Sequence, residues 1–189
     1  MAQKRKDWNG LISGFKASDL VFLDESGCNT DMTRRYAYSL GGSRAVDSAP
    51  LSKPKNTTIL SSIQLDGTLR YTTFSGGTTV ERFKRYLETD LLPHLNGNSV
   101  LIMDDMKSHH AKAVRNLLDS SGVRYIYLPP YSPDLNPIEK LWSKVKSFLR
   151  KFKARTLDAL PNEIQCAFQI VSPSDCSGWF HSCGYSPYF

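Results

Sequence analysis

The chain has 189 residues, of which 40% are hydrophobic and 11% aromatic, and it carries a net charge of +6 with a pI near 9.1. A chain of this length buries roughly 70% of its unfolded surface, which predicts one folded domain and argues against disorder. No apolar run approaches the roughly 20 residues of a bilayer span, and no apolar signal core follows the basic start, so a cytoplasmic protein with an anionic partner and no membrane contact is expected.

Residues 1–18 are polar and basic, with Gly10 and Gly14, and read as a loose lead-in. Leu20–Asp24 reads as a strand broken by Ser26-Gly27. A polar stretch with Arg34 and Arg35 leads to a second strand at Tyr36–Leu40, stopped by Gly41-Gly42, and residues 43–56 form a flexible connection. Thr57–Gln64 and Thr68–Phe74 read as a hairpin around the turn signal Asp66-Gly67. Thr78 and Glu81 have capping-box spacing, and Val80, Phe83, Leu87 and Leu91 recur at helical spacing until Pro93.

Asn98–Met103 is expected to be a strand covered on both faces. Ser108 caps a predicted helix carrying Val114, Leu117 and Leu118, with Gly122 as its stop, and Val123–Leu128 is the next strand. That strand, helix, strand order implies a parallel pair with a right-handed crossover. After a proline-stiffened loop, Asn136 is placed to cap a helix with Pro137 in its first position. Ile138, Leu141, Val145, Phe148 and Phe152 form its apolar stripe. Between Lys140 and Arg155 the helix is basic without an acid, and Lys140, Lys144, Lys151 and Arg155 lie mainly opposite the stripe. A second amphipathic helix spans Leu157–Val171, kinked by Pro161, and the tail packs Trp179, Phe180 and Tyr185 onto the core.

The predicted organisation is a lead-in at 1–18, a mixed-sheet domain at 19–155 and a helical extension at 156–189 packed on the core. The fold class is α/β: a mixed sheet flanked by helices, in the element order of the ribonuclease-H-like fold. Cys28, Cys166, Cys176 and Cys183 are too scattered for a disulfide framework and read as free thiols rather than a zinc site.

Three acids stand out. Asp24 closes the apolar run Leu20–Leu23, Asp104 closes Val100–Met103, and Glu139 enters the basic helix. Each has a plain structural reading: Asp24 opens a turn, Asp104 favours a helix N-terminus, and Glu139 completes a capping box. Together they suit a divalent-metal cage, because Mg²⁺ prefers a few carboxylates plus substrate phosphate, and two such ions support in-line phosphoryl transfer. Like charges 4 Å apart repel by roughly 4 kcal/mol at an effective dielectric of 20, so grouped acids point to function rather than stability. On that argument, Asp104→Asn should raise stability without metal. The basic face from Lys140 to Arg155, with Arg34, Arg35 and Lys107, suits contact with the DNA backbone. His109 and His110 are expected to pack at a helix start or face solvent, Tyr131 to pack under its proline neighbours, and a turn role suffices for Asp134.

Asp24-Glu25, Asp104-Asp105 with His109, and the string Tyr131-Ser-Pro-Asp-Leu-Asn-Pro-Ile-Glu139 resemble the DDE transposases of the mariner superfamily, most closely their bacterial insertion-sequence branch. The resemblance covers roughly residues 19–155. It implies a ribonuclease-H-like catalytic domain with Asp24, Asp104 and Glu139 holding two Mg²⁺ ions, or Mn²⁺ in their place. It implies cleavage at transposon ends, joining into target DNA at TA, and a homo-oligomer in the active complex. Asp105 stands where the family usually has Asn. The family also carries an N-terminal helix-turn-helix region, which residues 1–18 cannot hold, so this chain resembles the catalytic half, with a separate DNA-binding half as a partner. Two rival readings are a truncated, non-catalytic transposase that pairs with or inhibits an intact relative, and another ribonuclease-H-like nuclease.

Overall fold

The computed structural model describes residues 2–34, 36–48, 54–153 and 155–185. Five strands form one mixed sheet: β1 (Leu20–Asn29), β2 (Asn56–Gln64), β3 (Leu69–Ser75), β4 (Val100–Met103) and β5 (Arg124–Tyr127), in the order β3-β2-β1-β4-β5. β1 pairs antiparallel with β2 and parallel with β4, β2 pairs antiparallel with β3, and β4 pairs parallel with β5. The hairpin turn between β2 and β3 closes on Gly67, whose φ of +92° only glycine adopts without strain.

Side-chain alternation along β1 splits the core in two. Leu20 and Phe22 face a cluster built by α4 (Ile138–Phe152), α5 (Leu160–Gln169) and α6 (Pro173–Ser182), while Val21 and Leu23 face α2 (Val80–Tyr86) and α3 (Lys112–Ser121). β4 repeats the split with Val100 and Ile102 against Leu101 and Met103. All four β4 residues are fully buried, as expected of a strand covered on both faces.

Several boundaries differ from the sequence reading. β1 runs through Ser26-Gly27 to Asn29, because an unbroken antiparallel register with β2 carries it past the glycine. Tyr36–Leu40 is not a strand: no neighbour offers it a ladder, and Tyr36, Tyr38 and Leu40 are fully exposed. Residues 2–12 form helix α1 rather than a loose lead-in, anchored by Trp8 in the core and by an Arg5–Asp134 ion pair.

At α2 the N-cap is Thr79, one residue later than the capping-box spacing suggested, and the helix continues as a wide turn over Leu87–Leu91 before Pro93. Ser108 does not cap α3, which starts after Ala111, and Gly122 ends it in the left-handed conformation. Asn136 is extended and Pro137 already helical, as expected at the start of α4, but the Asn136 side chain makes no capping hydrogen bond. Pro161 opens α5 in its first turn, where its missing N–H costs nothing, and so does not kink it. α6 is a true helix, started by a reciprocal capping box between Ser172 and Asp175. No helix among the described residues is long and apolar enough to cross a membrane.

Candidate active site

Parallel pairing sets Leu23 beside Met103, so the next residues, Asp24 midway along β1 and Asp104 just after β4, lie side by side where the pairing of the two strands stops. Asp24 follows Leu20 and Phe22 onto the α4 face. It is only 8% exposed; its Oδ2 accepts a hydrogen bond from Trp142 Nε1 (3.0 Å) and its Oδ1 one from the Glu25 backbone N–H (2.7 Å). Burial pushes its pKa up to about 7 despite both donors, and the nearby charges of Asp104 and Glu25 add to the rise.

Asp104 has different surroundings. Its Oδ1 lies 2.9 Å from His109 Nδ1 and accepts the Met106 N–H at 3.2 Å. His109 is fully buried and stacked on Phe83 (ring centroids 4.3 Å apart), and its other nitrogen, Nε2, lies 3.2–3.3 Å from the Glu25 carboxylate. Burial alone would pull this imidazole down, but hydrogen bonds to Asp104 and Glu25 outweigh it and push its pKa up to about 10. With a carboxylate at each ring nitrogen, His109 is a cation at neutral pH. It is not the packing histidine of the sequence reading: it joins the Asp24-Glu25 pair to Asp104. Asp105 turns instead to His110, whose Nε2 lies 2.6 Å from its Oδ1.

Glu139 sits exposed in the first turn of α4. The loop before it, Leu128–Asn136, lines a cavity of about 400 Å³ together with Asp24, Asp104, Asp105 and Glu139. All three sequence-selected acids therefore open into one space. Even so, among the described residues no three His, Cys, Asp or Glu side chains are gathered closely enough to hold a metal as they stand. Asp24 and Asp104 sense each other's charge, while an exposed Glu139 avoids the repulsion a third crowded carboxylate would add. In kind, the donors fit Mg²⁺ or Mn²⁺, being all hard oxygens, and a buried acid whose pKa burial has pushed up to about 7 is one that a cation would hold ionised.

Tyr131, expected to pack under its proline neighbours, is instead 88% exposed on the cavity rim, with φ at +56°. Trp142, Glu25 and Asn136 belong to the site and were missed as functional residues; Glu25 beside Asp24 and a histidine five residues after Asp104 were the available signals. Of the basic residues, Lys107, Lys140, Lys151 and Arg34 are exposed. Lys144 is half-buried and pairs with Asp175 at 2.6 Å, and Arg155 donates to the Thr30 and Met32 carbonyls at 3.3 Å, so both are engaged within the chain. Arg35 lies outside the described residues.

The family model for DDE superfamily endonucleases matches residues 19–161. A stretch of 97 residues is 28% identical to the Tc1 transposase of Caenorhabditis elegans, covering 49% of this chain and 36% of that protein. The fold superposes on a Mos1 transposase chain in a pre-cleavage transpososome with a TM-score of 0.82 at 19% identity, over 97% of this chain and 59% of that one. It also superposes on the isolated Mos1 catalytic domain, solved with raltegravir and Mg, with a TM-score of 0.72 at 17% identity, over 96% of this chain and 88% of that one. The chain thus spans little more than half of the Mos1 chain in the transpososome and about a third of the Tc1 protein, but most of a Mos1 catalytic domain.

Proposed function

We infer the function from one premise: the chain belongs to the DDE superfamily endonucleases, whose family model it matches from residue 19 to 161. Within that family we propose that it is the catalytic domain of a mariner-superfamily DNA transposase of the bacterial insertion-sequence branch, cleaving transposon ends and joining them to target DNA. The carrying observation is the shared cavity: the two acids that follow the last paired residues of adjacent parallel strands open into it with the acid that enters α4. The branch reading rests on the string Tyr131–Glu139.

Asp24, Asp104 and Glu139 would hold two divalent ions, Mg²⁺ or Mn²⁺. When bound, these ions supply stabilisation of the attacking and leaving oxygens in an in-line phosphoryl transfer. The chain's own groups prepare the site. Trp142 Nε1–H and the Glu25 N–H fix the two oxygens of Asp24. His109, backed by Glu25, fixes Oδ1 of Asp104 in place. Exposed Lys107, Lys140, Lys151 and Arg34 supply sequence-independent contacts to the DNA backbone, and Tyr131 offers an aromatic face to a base beside the reacting phosphate. Lys144 and Arg155, committed inside the chain, contribute charge to that face without reaching for phosphate. The partners of this reading are the transposon end, the target duplex, a second copy of the chain, and a helix-turn-helix half that reads the ends. Four free thiols fit work in the cytoplasm.

The test is a nicking and strand-transfer assay with Mg²⁺ or Mn²⁺, with a helix-turn-helix half supplied. Asp104→Ala and Glu139→Ala should each lower cleavage by about 1000-fold or more, equivalent to about 4 kcal/mol of barrier. Full activity in either variant rejects the assignment. Preferential cutting of RNA–DNA hybrids or branched DNA would favour another ribonuclease-H-like nuclease, and co-purification with an intact transposase without cleavage would favour an inhibitory partner.

A further inference from the structure

We propose that Asn136 is a further ligand of this metal site, its side-chain amide oxygen adding a neutral donor to the carboxylates of Asp24, Asp104 and Glu139; the proposal rests on reading the cavity as a divalent-metal site. Asn136 lines the same cavity as the three acids and is only 4% exposed. Its Oδ1 is buried and has no hydrogen-bond partner in the protein. Buried amide oxygens are almost always paired, and one left alone costs stability unless an ordered water or an ion completes it.

The usual structural explanation fails at this position. Asn136 precedes a helix with the extended backbone of a cap, yet its side-chain oxygen accepts no N–H of the first turn. Its backbone is nevertheless tightly fixed: its N–H donates to the Pro133 carbonyl (3.1 Å), its carbonyl accepts the Glu139 N–H (3.1 Å), and the carbonyl of Leu135 before it accepts the Tyr185 hydroxyl (2.6 Å). A fold that needed only bulk here would be better served by leucine. The amide oxygen of a residue that lines the same cavity as the carboxylates is instead a hard, uncharged donor. It suits Mg²⁺ or Mn²⁺ without adding a fourth negative charge to a space where Asp24 already carries a burial penalty.

The experiment is a Mn²⁺ titration, by calorimetry or by loss of the free-ion paramagnetic signal, on the purified chain and its Asn136→Leu, Asn136→Asp and Asp24→Asn variants. Each is also melted with and without the metal. Asn136→Leu should bind Mn²⁺ about tenfold or more weakly while its metal-free melting temperature holds or rises, because the orphaned oxygen is gone. Asn136→Asp, which keeps an oxygen, should bind at least as tightly as the parent. Asn136→Leu binding like the parent while Asp24→Asn binds weakly would overturn this proposal and leave the three-acid site standing. A lower metal-free melting temperature in Asn136→Leu with unchanged affinity would assign the oxygen to an ordered water and overturn it equally. Loss of Mn²⁺ binding in Asn136→Asp would point to the amide nitrogen as the working group and overturn it too. Absence of Mn²⁺ binding in the parent would overturn the reading of the cavity itself.

Discussion

Asp24 and Asp104 sit side by side where the parallel pairing of β1 and β4 stops and open into one cavity, yet their surroundings are opposite. Asp104 is half-exposed and has a full cation, His109, against one of its oxygens. Asp24 is almost fully buried, its hydrogen-bond donors are neutral, and its pKa rises to about 7. The fold has compensated one carboxylate internally and left the other to be compensated from outside. Two acids that look equivalent in sequence therefore do different work. Asp104 is part of a buried ion network that helps hold the sheet end together; Asp24 is the group whose charge most needs a ligand.

The largest expected effect falls on the hub of the compensated side. His109→Ala should destabilise the metal-free chain by about 3–5 kcal/mol, because removing the cation of a buried pair leaves uncompensated charge on Glu25 and Asp104. Urea unfolding would measure it, and a change below about 1 kcal/mol would mean that His109 is not the cation described here. The two acids should then differ in sign. Asp24→Asn should raise metal-free stability by about 1–3 kcal/mol at pH 8, where the buried carboxylate would otherwise have to ionise. Asp104→Asn should lower stability by about 1–2 kcal/mol, since it strips a partner from His109. That reverses the expectation drawn from clustered charge alone, which located the repulsion at Asp104. Equal signs in melts of the two variants would dissolve the contrast.

What the sequence made legible follows from what is local. The apolar runs at Leu20–Leu23 and Val100–Met103, the Asp66-Gly67 turn and the stripe of α4 each report on themselves, so the strands, the hairpin, the parallel crossover and the three acids were readable. Partners remote in the chain were not. Nothing near His109 shows that Glu25 will meet it across the sheet end, and nothing near Asp24 announces Trp142. The helical N-terminus escaped because it is polar, with Trp8 alone anchoring it deep in the core. The strand expected at Tyr36–Leu40 failed for the complementary reason: alternation proposes a strand, but only a neighbouring ladder makes one.

The same contrast between partnered and unpartnered charge divides the basic residues of α4. Lys140 and Lys151 make no ion pair among the described residues, whereas Lys144 is held by Asp175. Binding to non-specific duplex DNA should weaken steeply with salt, and Lys140→Ala and Lys151→Ala should each reduce the slope of log affinity against log salt by about one. Lys144→Ala should change that slope less and destabilise α6 instead. A larger loss of slope at Lys144 than at Lys140 would show that partnering inside the chain does not remove a lysine from the DNA-facing set.

The Lys144–Asp175 pair gives the mildest test of internal compensation, and it can be read by acid alone. Lys144 and the Ser172 cap hold the Asp175 carboxyl down at about 2, below the usual range for an aspartate. A carboxylate whose folded pKa is depressed adds stability that is present above about pH 4 and drains away as pH falls toward 2. The pair is partly solvated, at 31% and 27% side-chain exposure, so screening should keep the contribution to about 1 kcal/mol or less. Asp175→Asn should therefore cost about that much at pH 7 and progressively less as pH falls from 4 through 2, the difference closing only below the folded pKa. The cap itself is kept in this variant, because Asn retains a side-chain oxygen for the Ser172 N–H, so the cost read at pH 7 is that of the lost charge. If the parent and the variant instead lose stability in parallel through that window, Asp175 is not compensated in the folded chain, and Lys144 would rejoin the cations available to DNA.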